Sequence, residues 1–130
     1  MIFQNFYQEL GKLLFAVAKA DGTISKKELK ALHESVLSDI LPLEDSTDEF
    51  GTDAAFYVEM QFETLEVNNA NPDECFQSFV DYVKEHHTAF NEELKQLVIK
   101  VSEKIANSYY GTNSKEQKLL NELREKLKSI

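Results

Sequence analysis

The chain is predicted to fold as an all-α domain, and three observations carry that expectation. Apolar residues recur at i, i+3, i+4 and i+7 through most of its 130 residues. Valines and phenylalanines, which favour strands, fall at the same helical intervals and do not alternate with polar residues. A helix end followed by a Gly-Thr turn and a serine occurs twice, at Gly22-Thr23-Ile24-Ser25 and Gly111-Thr112-Asn113-Ser114.

Six helices follow in order. Phe3, Phe6, Tyr7, Leu10, Leu13, Leu14 and Val17 form one apolar face, predicting a helix over about 2–19. Leu29, Leu32, Val36 and Ile40 form the next, starting after Ser25 and stopped by Pro42. Residues 43–52 read as an acidic loop. A third helix over about 53–67 turns Ala54, Tyr57, Val58, Phe62 and Leu65 inward, and Asn68-Asn69 ends it. The fourth opens at Asn71-Pro72-Asp73-Glu74: a capping asparagine, a proline at the first helical position, then acids against the helix dipole. Phe76, Phe79, Val80 and Val83 are its buried face. The fifth starts near Thr88 or Asn91 and carries Leu94, Leu97, Val98, Val101, Ile105 and Tyr109 to a glycine terminus at Gly111. The sixth starts after Ser114 and carries Leu119, Leu120, Leu123 and Leu127.

The repeated turn has a physical description. Three residues after each serine stands a residue able to complete a capping box, Glu28 after Ser25 and Gln117 after Ser114. The expected architecture over residues 1–130 is a single domain of two pseudo-repeated helix hairpins, with the first and fifth helices as its central pair.

The stretch Phe15-Ala16-Val17-Ala18-Lys19-Ala20-Asp21-Gly22-Thr23-Ile24-Ser25-Lys26-Lys27-Glu28 resembles the signature of the TerB-like (tellurite-resistance) family. That signature is an alanine-rich helix end, then Asp-Gly-x-hydrophobic, with a Glu seven residues after the Asp. The family carries it twice, near the start and near the end. The resemblance implies a multihelical fold of about seven helices with two buried central ones, an association with tellurite resistance and stress response, and a metal-sensing or protein-interaction role without firm enzymatic activity. The second copy here departs from the pattern, with Tyr110 at the Asp position and Gln117 at the Glu position.

Asp21 and Glu28 are therefore the candidate metal ligands, with Glu116 nearby in the second copy. Capping is the competing account of both: Asp21 bonds turn amides and Glu28 completes the box. The same residues look like the end of an EF-hand loop, but the first and third ligand positions of such a loop would be Val17 and Lys19, which offer no side-chain oxygen. His33, His86 and His87 lack the Glu three residues earlier that a di-iron bundle needs. His86-His87 is expected to meet the carbonyls of a helix end, and Cys75, beside Asp73 and Glu74, to be a packed thiol. No phosphate-binding glycine loop and no identifiable nucleophile are present.

Charge divides the chain. Residues 1–43 balance five acids and five bases, residues 44–85 set twelve acids against Lys84 alone, and residues 86–130 hold six acids and eight bases. Such an acidic middle disfavours nucleic acid and suits a basic protein surface. No apolar run reaches membrane-spanning length, residues 1–6 lack a basic signal region, and the one cysteine suits a reducing, cytoplasmic compartment. The sequence thus points to a non-enzymatic protein-interaction module with a basic protein partner, engaged by Glu44, Asp45, Asp48, Glu49 and Asp53. No cofactor is expected. The alternative is a divalent-cation sensor at the Asp21-Gly22 turn, and homo-oligomerisation stays open.

Overall fold

A computed structural model describes residues 4–20, 24–35, 38–39, 56–107 and 114–130. These contain six α-helices and no strand: α1 (Gln4–Lys19), α2 (Lys26–Ser35), α3 (Phe56–Val67), α4 (Pro72–Glu85), α5 (Glu92–Ala106) and α6 (Ser114–Lys128), with a 3₁₀ turn at His87–Ala89. Phe3, Val36, Ile40 and Ala54, expected in the core, lie outside the described residues, as do the whole of the expected loop over 43–52 and the glycines Gly22 and Gly111 of the two turns.

Helix α1 is the centre. It packs against α3, α4, α5 and α6. Six consecutive residues, Leu13, Leu14, Phe15, Ala16, Val17 and Ala18, are fully buried, so the helix is covered on every side where its sequence is apolar on every side. Periodicity identified one face of it and missed Phe15, Ala16 and Ala18. Close approach to α3 has a specific cause at Gly11, where an added Cβ would stand 2.7 Å from the Val58 carbonyl oxygen and 2.9 Å from Gln61 Cβ. Phe15 and Phe62 meet edge-to-face beside this crossing, with ring centroids 5.8 Å apart.

Helix α5 is the second core helix and touches α1 directly. Val98, Val101 and Ile105 are fully buried and Leu94 nearly so. The two hairpins are not packed alike. Helix α6 lies on α5 and also reaches α1, whereas α2 packs on α5. Phe90, between α4 and α5, fills the other end of the core, in edge contact with Phe6, Phe79 and Tyr82.

Local chemistry explains the helix ends. Asn71 Oδ1 accepts from the Asp73 and Glu74 amides at 2.8 and 3.2 Å, with Pro72 at the first helical position. Asn91 Oδ1 accepts from the Leu94 amide at 2.9 Å, so α5 starts at Asn91, and Thr88 belongs to the 3₁₀ turn. Asn69 sits at φ 50° and closes α3 in a Schellman motif: Ala70 N–H donates to the Leu65 carbonyl and Asn69 N–H to that of Glu66. Helix α5 closes at Ala106 with Asn107 as its C-cap, short of the expected Gly111. Tyr109, Tyr110 and Gly111 lie outside the described residues.

Candidate functional site

The first repeated turn delivers the Ser25–Glu28 box as a complete reciprocal pair. Ser25 Oγ accepts from the Glu28 amide at 3.1 Å, and Glu28 Oε1 accepts from the Ser25 amide at 2.9 Å. Glu28 is only 3% exposed. One carboxylate oxygen of the candidate metal ligand is therefore engaged in capping the start of α2. Asp21, its expected partner in holding an ion, lies outside the described residues. Among the described residues no group of three or more His, Cys, Asp or Glu side chains is placed to hold a metal ion.

The second turn departs from expectation. Gln117 is exposed, and its amide donates to Asn121 Oδ1 at 3.0 Å along its own helix, away from Ser114. The buried polar residue of that turn is Glu116, 3% exposed. A one-residue change of register separates the buried acids of the two repeats: Glu28 is three residues from its serine and Glu116 two.

The acids proposed from sequence as an interaction surface, Glu44, Asp45, Asp48, Glu49 and Asp53, lie outside the described residues. The acidic region continues into α3 and α4, where Glu63, Glu66, Asp73, Glu74, Asp81 and Glu85 are all exposed, with Lys84 the base among them. On α4 the acids are ordered. Glu74, Gln77, Ser78, Asp81, Tyr82 and Glu85 follow helical spacing and, with Glu9 of α1, line a groove of about 460 Å³.

The groove has a fixed wall. Ser78 Oγ lies 2.7 and 2.9 Å from the two Glu9 carboxylate oxygens, and Lys12 Nζ donates to Glu9 at 3.0 Å and to Ser78 Oγ at 3.2 Å. Lys12 balances Glu9, so the open negative charge comes from Glu74, Asp81 and Glu85. Gln77 donates to Asp81 at 2.9 Å and orients it. Burial, then the charge of Glu9, raises the Tyr82 phenol above its ordinary pKa, so it stays a neutral hydroxyl beside the carboxylates. This arrangement offers hydrogen-bond acceptors and negative charge, the chemistry that receives lysine and arginine side chains. Sequence reasoning identified the acidic region but missed Glu9, which tertiary packing brings to α4 from far along the chain. The i, i+3 pairing of Glu9 with Lys12 was the one available signal.

The remaining candidates take structural roles. His86 Nδ1 lies 2.9 Å from the Tyr82 carbonyl and His87 Nδ1 3.3 Å from that of Lys84, as expected of histidines at a helix end. The His86 ring also stacks on Tyr82. His33 Nδ1 lies 2.7 Å from Glu59 Oε1 and ties α2 to α3. Cys75 is buried, and that burial raises its thiol pKa, the opposite of a reactive thiolate. Across the molecule, Asp39 receives Lys104 at 2.5 Å and Lys100 at 3.3 Å and links the end of the α2 region to α5.

No family profile, no curated protein and no solved structure matches this chain. No helix among the described residues is long and apolar enough to cross a membrane.

Proposed function

We propose that this chain is a non-enzymatic protein-interaction domain that docks a basic partner on the acidic surface of α3 and α4. The observation that carries this reading is the exposed carboxylate series Glu63, Glu66, Asp73, Glu74, Asp81 and Glu85, accompanied by Lys84 alone among the Lys and Arg residues of 56–85. The α4 acids border a preformed groove, so a docking side chain meets oriented acceptors with little rearrangement.

A TerB-like arrangement, with the stress-response role that resemblance implies, belongs to the same proposal. It is supported by the all-α architecture, by the direct contact of α1 with α5 and by the Ser25–Glu28 capping box in the motif. The lone cysteine and its burial are compatible with work in the cytoplasm.

The test is binding of fluorescent poly-lysine, followed by anisotropy at low and high salt. Affinity is expected to fall steeply with salt. It is also expected to fall when Glu74, Asp81 and Glu85 are changed together to Gln, Asn and Gln. Binding indifferent to both changes overturns the reading.

A further inference from the structure

Among the described residues two large apolar side chains are left exposed, Met60 at 55% and Val67 at 82%. Both belong to α3. Seven residues are two helical turns, so they share one face about 10 Å apart along the axis. Glu63 and Thr64 lie between them and are exposed too. The opposite side of α3 carries Val58 and Phe62, fully buried, and α1 covers it.

Apolar residues scattered singly over a surface need no explanation. These two are not scattered, because they stand on one stripe of one helix inside the most acidic third of the chain. A helix whose outer face met only water would be polar there. Val67 is almost wholly exposed and about half of Met60 is.

We infer that the outer face of α3 is a docking surface for a basic amphipathic helix of a partner protein. This rests on the acidic-surface reading and adds to it the contact residues and the partner's shape. Two apolar side chains of the partner seat on Met60 and Val67, and its lysines or arginines reach Glu63 and Glu66. Two-turn spacing of the anchors is the register of helix-on-helix recognition. Charge decides against a second copy of this chain, since a two-fold dimer through α3 would set Glu63 and Glu66 against themselves.

The experiment compares two probes by anisotropy. One is an amidated helical peptide of leucine, lysine and alanine, about 18 residues long so that it holds a helix, with its leucines at heptad spacing. The other is poly-lysine. The double variant Met60→Ser/Val67→Ser, checked for unchanged helicity by circular dichroism, is expected to bind the leucine–lysine peptide at least about tenfold more weakly and poly-lysine as before. If poly-lysine binds the parent chain but the variant keeps its full affinity for the leucine–lysine peptide, this inference falls and the acidic-surface reading stands. If neither probe binds the parent chain, both fall. Self-association of the parent chain that the double variant abolishes makes a second copy the occupant and overturns the inference.

Discussion

Gly11 and Val58 mark the point where α1 and α3 come too close for a side chain: a Cβ on Gly11 would lie 2.7 Å from the Val58 carbonyl oxygen. The obstructing atom is backbone, and it cannot swing away as a side chain could. Gly11→Ala gains about 1 kcal/mol of helix propensity but forces the two helices apart, at a cost of about 1–3 kcal/mol. The expected net result is a loss of about 1 kcal/mol and a lower urea midpoint. A midpoint above that of the parent chain would show that α3 can shift freely at this crossing.

Ser102 Oγ, in the buried face of α5, is the one buried side-chain polar atom among the described residues without a hydrogen-bond partner. Leaving a hydroxyl in that state costs about 1–3 kcal/mol. Ser102→Ala removes it with little change in volume and is expected to stabilise the domain by about 1 kcal/mol, which raises Tm by a few degrees. Calorimetry checks this, and a fall in Tm would reveal that the hydroxyl is satisfied in solution.

Asp39 gives stability a pH dependence. Burial pushes its carboxyl up, but the hydrogen bonds and charges of Lys104 and Lys100 outweigh burial and hold its pKa below the ordinary 3.8. A pKa lower in the folded than in the unfolded chain means that its stabilisation is complete above the unfolded value. That stabilisation is lost as pH falls through the folded value. The stability difference between the parent chain and Asp39→Asn is therefore expected to be constant from pH 5 to 7 and to shrink below about pH 4. Denaturation at stepped pH measures it, and a difference that grows on acidification would contradict the assignment.

The Ser25–Glu28 box separates its structural from its metal-binding account. Ser25→Ala removes one reciprocal bond and is expected to cost about 1 kcal/mol. As a cap, the turn needs no ion, so calcium, magnesium, manganese and zinc are expected to leave Tm unchanged. A rise with any of the four that Asp21→Asn abolishes would establish the cation-sensor alternative.

Much of the fold was legible because helices announce themselves locally. Asn71-Pro72-Asp73-Glu74 cap α4 as their order requires, and Val98, Val101 and Ile105 are buried as their spacing requires. What was not legible depends on partners distant in the chain. Phe15, Ala16 and Ala18 look like the outer side of an amphipathic helix until four other helices surround it. Gly11 is an unremarkable helix glycine until α3 is known to cross there. The two repeated turns read as equivalent, yet Glu28 closes its box and Gln117 does not, because the sequence cannot show whether a side chain turns back to a backbone amide donor or onward to a side-chain acceptor such as Asn121 Oδ1. For the candidate site, composition located the acidic region, while the Glu9–Ser78 contact depends on packing between α1 and α4.

The burial of α1 has a consequence for synthesis. A ribosome makes this helix before any of the four helices that cover it, the last of which begins at Ser114. Until α6 has been made, the helix that carries Phe6, Leu10, Leu13, Phe15 and Val17 lacks part of its native cover, so the nascent chain holds a long apolar helix without its full shelter. Such a chain completes its core only once α6 has been made. Fragments that stop before α6 should therefore draw chaperones or proteases more strongly than the full domain does.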